Sequence, residues 1–204
     1  MPVAVAAPPP TETPAADAVR FHRFTVAQYH RMIDLGILKP DDRVELFRGW
    51  IIRKMTHNPP HDATVTRITR RLFRLLADEW LIRVQCSIAA RDSEPEPDVA
   101  VVRGPEEKYF ARHPGSKDIA LLIEVADATL AYDREAKGPL YAGERIPFYW
   151  IANLIDARVE VFTDPKAGKA PAYRQRRDYA VGESVPLVLD GREVARIPVR
   201  QLLP

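Results

Sequence analysis

The stretch DIALLIEVA, residues Asp118 to Ala126, is apolar on both faces until it reaches Glu124. A strand without alternating polar residues is typical of the centre of a sheet, because both of its faces are covered. An ionised carboxylate in a dry interior costs several kcal/mol or more unless a cation or hydrogen-bond donors compensate it. The sequence therefore predicts a central, buried strand and a partner for Glu124.

Further strand-like runs flank this segment on both sides. They are IRVQCSIA, DVAVV, FYWIANL, ARVEVFTD, SVPLVL and RIPVRQLL. Two helical patterns precede most of these runs, and a third, DREAKGPLYAGER, lies between LLIEVA and FYWIANL, where it would cross the sheet. The pattern predicts an α/β or mixed α+β fold, with a central mixed β-sheet flanked by helices and extra C-terminal strands.

Composition sets wide bounds on the function. The 204 residues carry 30 Lys and Arg against 28 Asp and Glu, so net charge neither requires nor excludes a nucleic-acid partner. Residues 1–20 are rich in Pro and Ala, and we expect a disordered tail before a single domain over residues 21–204. Because no run is long and apolar enough to span a bilayer and the start lacks a basic signal region, we expect a cytoplasmic protein with no membrane partner.

Two local patterns precede the central strands. Thr25 can cap a short amphipathic helix that Gly36 would close in a left-handed conformation. The run RVELFRGWIIRKM is typical of a hairpin whose loop contains Arg48 and Gly49, with Glu45 on its first strand.

The clearest helical pattern is PHDATVTRITRRLFRLLADEW. Its apolar residues recur at spacings of three and four, namely Val65, Ile68, Leu72, Leu75, Leu76 and Trp80. A second face carries four arginines, Arg67, Arg70, Arg71 and Arg74. This basic face is either solvated without further role or contacts the phosphates of a nucleic acid.

An acidic residue precedes another strand in EPEPDVAVVRG. If DVAVV and ALLIEV are neighbours, Asp98 and Glu124 lie side by side at one end of the sheet. Two carboxylates aimed at one point form a site for Mg²⁺ or Mn²⁺. The alternatives are a turn-capping role for Asp98 and a structural ion pair for Glu124.

Lys137 follows Glu124 by 13 residues. Asp133 can cap a helix that carries Lys137 and Tyr141 on one face; alternatively Gly138 is the cap, which leaves Lys137 in the preceding turn. In either case its ammonium could stabilise negative charge that develops near a metal-bound water. The alternative is an exposed helix lysine.

Taken together, these segments resemble the Uma-type restriction endonuclease family, which is related to the PD-(D/E)XK nuclease fold. The resemblance runs from about Thr25 to Leu203. It is carried by VELFRGWI with Glu45, HDATVTRITRRL from His61, EPDVAVV with Asp98, LLIEVAD with Glu124, YDREAKGPLYAGERIPFYWI with Asp133 and Lys137, and ARVEVF.

The resemblance implies a metal-dependent endonuclease that hydrolyses DNA with Mg²⁺ or Mn²⁺ as cofactor. In PD-(D/E)XK enzymes the Asp and the Glu hold the metal, and a Lys two residues after the Glu assists the attacking water. Here Asp98 and Glu124 fill the first two positions, but Ala126 stands at the third. The chain is similar to a variant in which the lysine comes from the next helix, so that Lys137 takes the role.

Two other residues receive expected roles at this site. Glu45 would be an outer metal ligand or general base; its alternative is a surface glutamate paired with Arg43 or Arg48. His61 could reach the nucleic acid, or could simply start its helix.

His57 and His61 are four residues apart, a spacing that on one helix would bring both to a metal. Pro59 and Pro60 break such a helix, so no two-histidine metal site is expected.

The assembly and the activity remain open to alternatives. A homodimer is expected, because one site cuts one strand at a time and a two-fold assembly presents two sites. One alternative function is a catalytically inactive nuclease fold that binds nucleic acid or a protein through the basic face. Another is a structural protein in which Glu124 and Lys137 form a buried ion pair without metal.

Overall fold

The computed structural model describes residues 21–204, and the tail predicted for residues 1–20 lies outside the described residues. The strands are β1 (Val44–Phe47), β2 (Trp50–Arg53), β3 (Trp80–Val84), β4 (Val99–Arg103), β5 (Ile119–Ala126), β6 (Phe148–Asn153), β7 (Arg158–Lys166), β8 (Ala172–Ala180), β9 (Ser184–Leu189) and β10 (Arg192–Pro198). The α-helices are α1 (Val26–Asp34), α2 (Pro59–Phe73), α3 (Leu130–Tyr132) and α4 (Gly138–Gly143). A π-helical turn, Asp133–Lys137, joins α3 to α4.

Six strands form one mixed sheet in the order β3-β4-β5-β6-β7-β8. β5 and β6 are parallel, and the other neighbours are antiparallel. All eight residues of β5 are buried, which confirms the central strand expected from DIALLIEVA. Parallel neighbours need a crossover connection, and the helical segment from α3 to α4 supplies it. The predicted fold class is confirmed.

The sheet has a separate apolar core on each face. Helix α2 and the β9–β10 hairpin cover one face, where Leu72 and Ile197 meet the central strands. The β1–β2 hairpin and α4 cover the other face, with Phe47 and Tyr141 in the core. The molecule thus has three layers, and the strand ends between the two covering layers stay accessible to a ligand.

The N-terminal elements follow their local sequence signals. Thr25 Oγ1 accepts a hydrogen bond from the Gln28 N–H at 3.2 Å, and Gln28 Oε1 accepts one from the Thr25 N–H at 2.9 Å, which together form a capping box. Arg48 and Gly49, between β1 and β2, both have positive φ, as the tight hairpin turns that match strand twist require. A Cβ on Gly49 would lie 2.7 Å from Arg23 Cβ, so a larger residue would collide there.

Helix α2 is shorter than its apolar stripe predicts. It ends at Phe73, and Trp80 begins β3, where it pairs with Arg103. The prediction of Trp80 on the helical stripe is therefore wrong, because strand pairing with β4 takes this residue out of the helix. Within residues 21–204, none of the helices combines the length and the apolar character that crossing a bilayer requires.

Strand β8 was not predicted from the sequence. Its central residues, RQRRD, show no apolar alternation, because β8 is an edge strand whose side chains are mostly exposed. Its extended conformation comes from backbone hydrogen bonds to β7. It does not come from burial of an apolar face.

Leu122 provides a test of the central core. Its side chain is fully buried in β5, so we expect Leu122→Ala to lower the free energy of unfolding by about 2–5 kcal/mol. Phe110→Ala is the control, because Phe110 is 78% exposed and should change stability by no more than about 0.5 kcal/mol. Urea denaturation measures both, and equal midpoints for the two variants would contradict this assignment of the core.

Candidate active site

Asp98 and Glu124 meet at one end of the central strands. The antiparallel register of β4 and β5 pairs Val99 with Ile123, which places the two carboxylate residues beside each other. The Asp98 N–H lies 3.4 Å from Glu124 Oε2, and Asp98 Oδ2 accepts a hydrogen bond from the Val125 N–H at 2.8 Å. Both side chains are buried. The predicted neighbourhood of the two carboxylates is confirmed.

The crossover segment brings a cation and a phenol to Glu124. Lys137 Nζ lies 2.9 Å from Glu124 Oε1, and the Tyr141 hydroxyl donates to the same oxygen at 2.7 Å. Asp133 Oδ1 lies 3.6 Å from Lys137 Nζ, and Asp133 Oδ2 accepts a hydrogen bond from the Thr129 hydroxyl at 2.6 Å. Lys137 is therefore not an exposed helix lysine, because its side chain is only 13% exposed.

The backbone at Lys137 differs from both predicted helix starts. The segment is helical throughout, and in the π-helical turn the Gly138 N–H donates to the Asp133 carbonyl. Pro139 lacks an N–H and its ring crowds the carbonyl of Glu135, four residues earlier, which disfavours a regular α-turn at this point. Neither Asp133 nor Gly138 is an N-cap. Lys137 and Tyr141 nevertheless share one face, as the first alternative predicted.

His61 lies at the mouth of the site. It occupies the first turn of α2, whose N-cap Asn58 accepts a hydrogen bond from the His61 N–H at 3.0 Å. Its Nε2 lies 3.1 Å from Asp98 Oδ2. His61 therefore both starts the helix and forms a hydrogen bond with the Asp98 carboxylate.

His57 precedes the helix, as the two prolines predicted, yet its ring stacks on His61 with centroids 4.1 Å apart. One potential ligand atom from each of His57, His61 and Asp98 lies within 4.8 Å of the others. The loop before α2 thus folds back on the helix and brings the two imidazoles together, although the prolines keep His57 outside it. That the two histidines do not share a metal stays a prediction.

Glu45 enters the site from β1. It is 6% exposed, and its Oε2 accepts a hydrogen bond from the Glu96 N–H at 3.1 Å. Among the described residues it forms no ion pair with Arg43 or Arg48, so the surface-pair alternative does not hold. Lys54, on the same side of the hairpin, pairs with Glu96 at 2.6 Å instead.

These residues surround one cavity of about 700 Å³. Its polar lining includes Glu45, His61, Asp98, Glu124, Asp133 and Lys137. The cavity thus gathers five of the residues singled out from the sequence for catalysis or substrate contact, together with Asp133.

The cavity is lined by six carboxyl groups, two lysines, two arginines and two histidines. Burial raises the pKa of Glu124 to about 8, although Lys137 acts in the opposite direction. Burial also raises the pKa of Glu45 and of Asp133. For Lys137, burial disfavours the charge, but the surrounding carboxylates outweigh it and keep the pKa above its ordinary value. The lysine therefore stays charged, while burial favours the protonated form of the carboxyl groups around it.

Asp98 is stabilised as a carboxylate by its neighbours. Burial disfavours its charge, but the hydrogen bonds from His61 and from the Val125 N–H outweigh burial and lower its pKa. For His61, burial is again outweighed by Asp98 and Asp62, and its pKa is raised. Each of the two residues thus favours the charged form of the other at the mouth of the cavity.

The four arginines of α2 differ in their surroundings. Arg67 donates to the carbonyls of Arg200 and Leu203 at 3.1 and 2.6 Å, which ties the C-terminus to the helix. Arg71 is partly buried, whereas Arg70 and Arg74 are exposed. With a rise of 1.5 Å per residue, Arg70 and Arg74 lie about 13 and 20 Å along the helix axis from His61.

A mixed sheet with two carboxylates at the ends of its central strands, met by a lysine from the crossover segment, is typical of a restriction-endonuclease-like nuclease fold. The model of the Uma2 family, described as "Putative restriction endonuclease", matches residues 26–198, and the chain belongs to that family. The resemblance found in the sequence is confirmed, and the family supports a nuclease-like role.

A solved structure has a similar fold. It is titled "Crystal structure of a putative nuclease belonging to DUF820 from Anabaena variabilis ATCC 29413 at 1.96 A resolution". The TM-score is 0.63 with 14% sequence identity, over 83% of this chain and 94% of that chain. The curated proteins gave no match.

Proposed function

We propose that this protein is an endonuclease that hydrolyses DNA phosphodiester bonds and depends on Mg²⁺ or Mn²⁺. The observation that carries the proposal is the convergence of Asp98, Glu124 and Lys137 in one cavity. Membership of the family and the nuclease-like fold support it. The test is nicking of supercoiled plasmid DNA with Mg²⁺ or with Mn²⁺. If neither ion supports nicking, the proposal is contradicted.

The carboxylates suit a hard divalent cation. Both hydrogen bonds that Asp98 accepts from the described residues go to Oδ2. Lys137 and Tyr141 both contact Glu124 Oε1. Asp98 Oδ1 keeps acceptor capacity, and so does Glu124 Oε2, whose one hydrogen bond from the described residues is the long one from the Asp98 N–H at 3.4 Å. Carboxylate oxygens are ligands that Mg²⁺ and Mn²⁺ prefer. When bound there, such an ion would polarise the scissile phosphate and lower the pKa of a bound water.

Lys137 would supply the fixed positive charge of the reaction. Glu124 and Asp133 hold its ammonium inside the cavity, where it can stabilise the attacking hydroxide or the negative charge of the transition state. Ala126 occupies the usual lysine position; it is fully buried and packs in the apolar core beneath α4. A lysine there would have to displace core contacts, whereas Lys137 reaches Glu124 from the next layer.

Glu45 and His61 would assist from opposite sides of the cavity. Glu45 would act as an outer metal ligand or general base, since it lines the cavity and its carboxylate is fixed by the Glu96 N–H. His61 would orient Asp98 through their hydrogen bond and would lie near the nucleic acid where it enters.

The exposed arginines of α2 provide a test of DNA binding. We expect Arg70→Ala/Arg74→Ala to weaken binding of duplex DNA and to reduce the slope of log affinity against log salt by about one to two, because each lost phosphate contact removes about 0.9. Arg174→Ala/Arg177→Ala is the matched control on the edge strand β8. Fluorescence anisotropy over a salt series, without divalent ions, measures both; identical slopes for the two variants would exclude the α2 face.

A second candidate is a catalytically inactive module that binds nucleic acid or a protein. It is favoured by Ala126 at the usual lysine position and by the tight Lys137–Glu124 ion pair, 2.9 Å long. DNA binding without nicking in Mg²⁺ or Mn²⁺ would support this candidate over the enzyme.

For cleavage of both strands we propose a homodimer of the single domain formed by residues 21–204. A two-fold assembly presents two sites of opposite direction to the two strands. Light scattering on the purified protein, with and without duplex DNA, measures the mass directly.

A further inference from the structure

A second cluster of potential metal ligands consists of His30, Glu94 and His113. His30 lies on α1, Glu94 on the connection between β3 and β4, and His113 on the connection between β4 and β5. His30 Nε2 is 2.6 Å from Glu94 Oε2, and His113 Nε2 is 3.6 Å from Glu94 Oε1. Ligand atoms from all three residues lie within 4.8 Å of one another. None of the three residues lines the cavity of the active site.

Glu94, like Asp98, has imidazoles and not guanidinium or ammonium groups as ion-pair partners among the described residues. Its side chain is 6% exposed, and among the described residues its ion-pair partners are the two imidazoles. By contrast, the fully buried Glu160 faces the guanidinium groups of Arg134 and Arg176. A neutral imidazole has a nitrogen that can bind a metal ion, whereas a guanidinium group has none, so the partners of Glu94 are potential metal ligands and those of Glu160 are not.

We propose that His30, Glu94 and His113 form a binding site for a transition-metal dication of the Zn²⁺ type. Two imidazole nitrogens and one carboxylate are a ligand set that Zn²⁺ takes in tetrahedral geometry, with the fourth position left to water. The side chains of His30 and His113 are 46% and 38% exposed, so solvent can reach that fourth position. Mg²⁺ prefers oxygen ligands, which separates this site chemically from the active site.

The distances require only small adjustments. Ligands at 2.0–2.2 Å from a tetrahedral ion lie about 3.3–3.6 Å apart. His30, whose Nε2 is 2.6 Å from Glu94, must therefore withdraw slightly, whereas His113 Nε2 already lies at a suitable distance of 3.6 Å from Glu94 Oε1. Both histidines are partly exposed and can rotate, whereas the buried Glu94 is fixed by the backbone pairing of its N–H with the Leu46 carbonyl at 2.7 Å.

Occupancy of this site would join three separate parts of the chain. It would connect α1, which otherwise packs through Tyr29, to two connections of the central sheet. A ligand that binds the folded state alone raises its stability, so metal at this site would raise the melting temperature and hold α1 against the domain.

The experiment measures Zn²⁺ binding to untagged, metal-free protein in the presence of excess Mg²⁺. All proteins carry His57→Ala/His61→Gln, so that the histidines near Asp98 cannot contribute. In this parent we expect one Zn²⁺ per chain by calorimetry and a rise in melting temperature on adding ZnCl₂. In His30→Ala/His113→Ala we expect the affinity to fall by at least about tenfold, since even the loss of outer partners of a metal site costs 10–100-fold, and the thermal shift to vanish.

The controls separate this site from nonspecific binding and from folding defects. His22→Ala removes another exposed histidine near α1 and should leave Zn²⁺ binding unchanged. The single variants His30→Ala and His113→Ala change partly exposed side chains, so their circular dichroism should match that of the parent. The proposal is overturned if the parent binds no Zn²⁺, or if His30→Ala/His113→Ala binds it as tightly as the parent. Either result leaves the nuclease proposal untouched, because DNA cleavage is not measured.

Discussion

Asp98→Asn is expected to lower Mg²⁺-dependent nicking of supercoiled plasmid by about a thousandfold. A bound ion supplies several kcal/mol of transition-state stabilisation, and each 1.36 kcal/mol corresponds to a tenfold change in rate. Asparagine keeps an oxygen that can accept the hydrogen bond from the Val125 N–H but removes the charge that holds the ion. The loss should therefore come from the chemistry and not from misfolding.

The matched control for this substitution is Asp118→Asn. Asp118 directly precedes the other end of β5 and pairs with Arg112 at 2.6 Å, far from the cavity. The nicking rate of Asp118→Asn should stay within about threefold of the native rate, which corresponds to a change in activation free energy of less than about 1.36 kcal/mol. Nicking rates are measured from gel time courses at fixed enzyme and DNA. If both Asp98→Asn and Glu124→Gln retain native rates, the proposed metal site is wrong.

The second large effect concerns Lys137. We expect Lys137→Met, which keeps the length of the side chain without its charge, to reduce nicking by about 10²–10³-fold, comparable to the loss of one stabilising group in other active sites. It should also destabilise the metal-free protein by about 3–5 kcal/mol, because Glu124 and Asp133 lose their buried counter-charge. Plasmid nicking and urea denaturation measure the two effects separately.

Added Mg²⁺ distinguishes a catalytic lysine from a purely structural one. If the carboxylates bind the ion, Mg²⁺ should raise the melting temperature of the native protein and recover part of the stability lost in Lys137→Met. Lys169→Met, which changes an exposed lysine, serves as the control. Two results together would indicate a structural ion pair. Lys137→Met would be destabilised but nick DNA at the native rate, and Mg²⁺ would leave the melting temperature of the native protein unchanged.

The sequence predicted those parts of the fold whose apolar pattern is continuous or strictly periodic. The buried strand β5, the hairpin at Gly49 and the helix after Asn58 all belong to this group. The edge strand β8 has no such pattern, since only its backbone is fixed by β7. The end of α2 at Phe73 was missed for a related reason: pairing of Trp80 with Arg103 is a long-range contact that no local spacing reveals.

The carboxylate pair could be predicted because burial of Glu124 demands a partner, and Asp98 directly precedes the neighbouring strand β4. The role of His61 toward Asp98 was less accessible, since it depends on where the start of α2 meets the sheet. His30, Glu94 and His113 gave no signal at all, because they lie 64 and 19 residues apart in sequence. The hydrogen bond from Tyr141 to Glu124 could have been found from its spacing of four residues after Lys137 on one helical face.

Because Lys137 lies on the π-helical turn before α4, its position does not depend on which side chains of strand β5 face the cavity. On a strand, a residue can move only in steps of two without changing face, and position 126 is committed to the core. On a helix, each residue added or removed turns the following side chains by 100°. The extra residue in the π-helical turn therefore determines the angle around the helix axis between Asp133 and the pair formed by Lys137 and Tyr141. Deleting one residue from the turn would change the spacing of Asp133 and Lys137 from four residues to three and so alter their relative angle, while Lys137 and Tyr141 kept their mutual spacing.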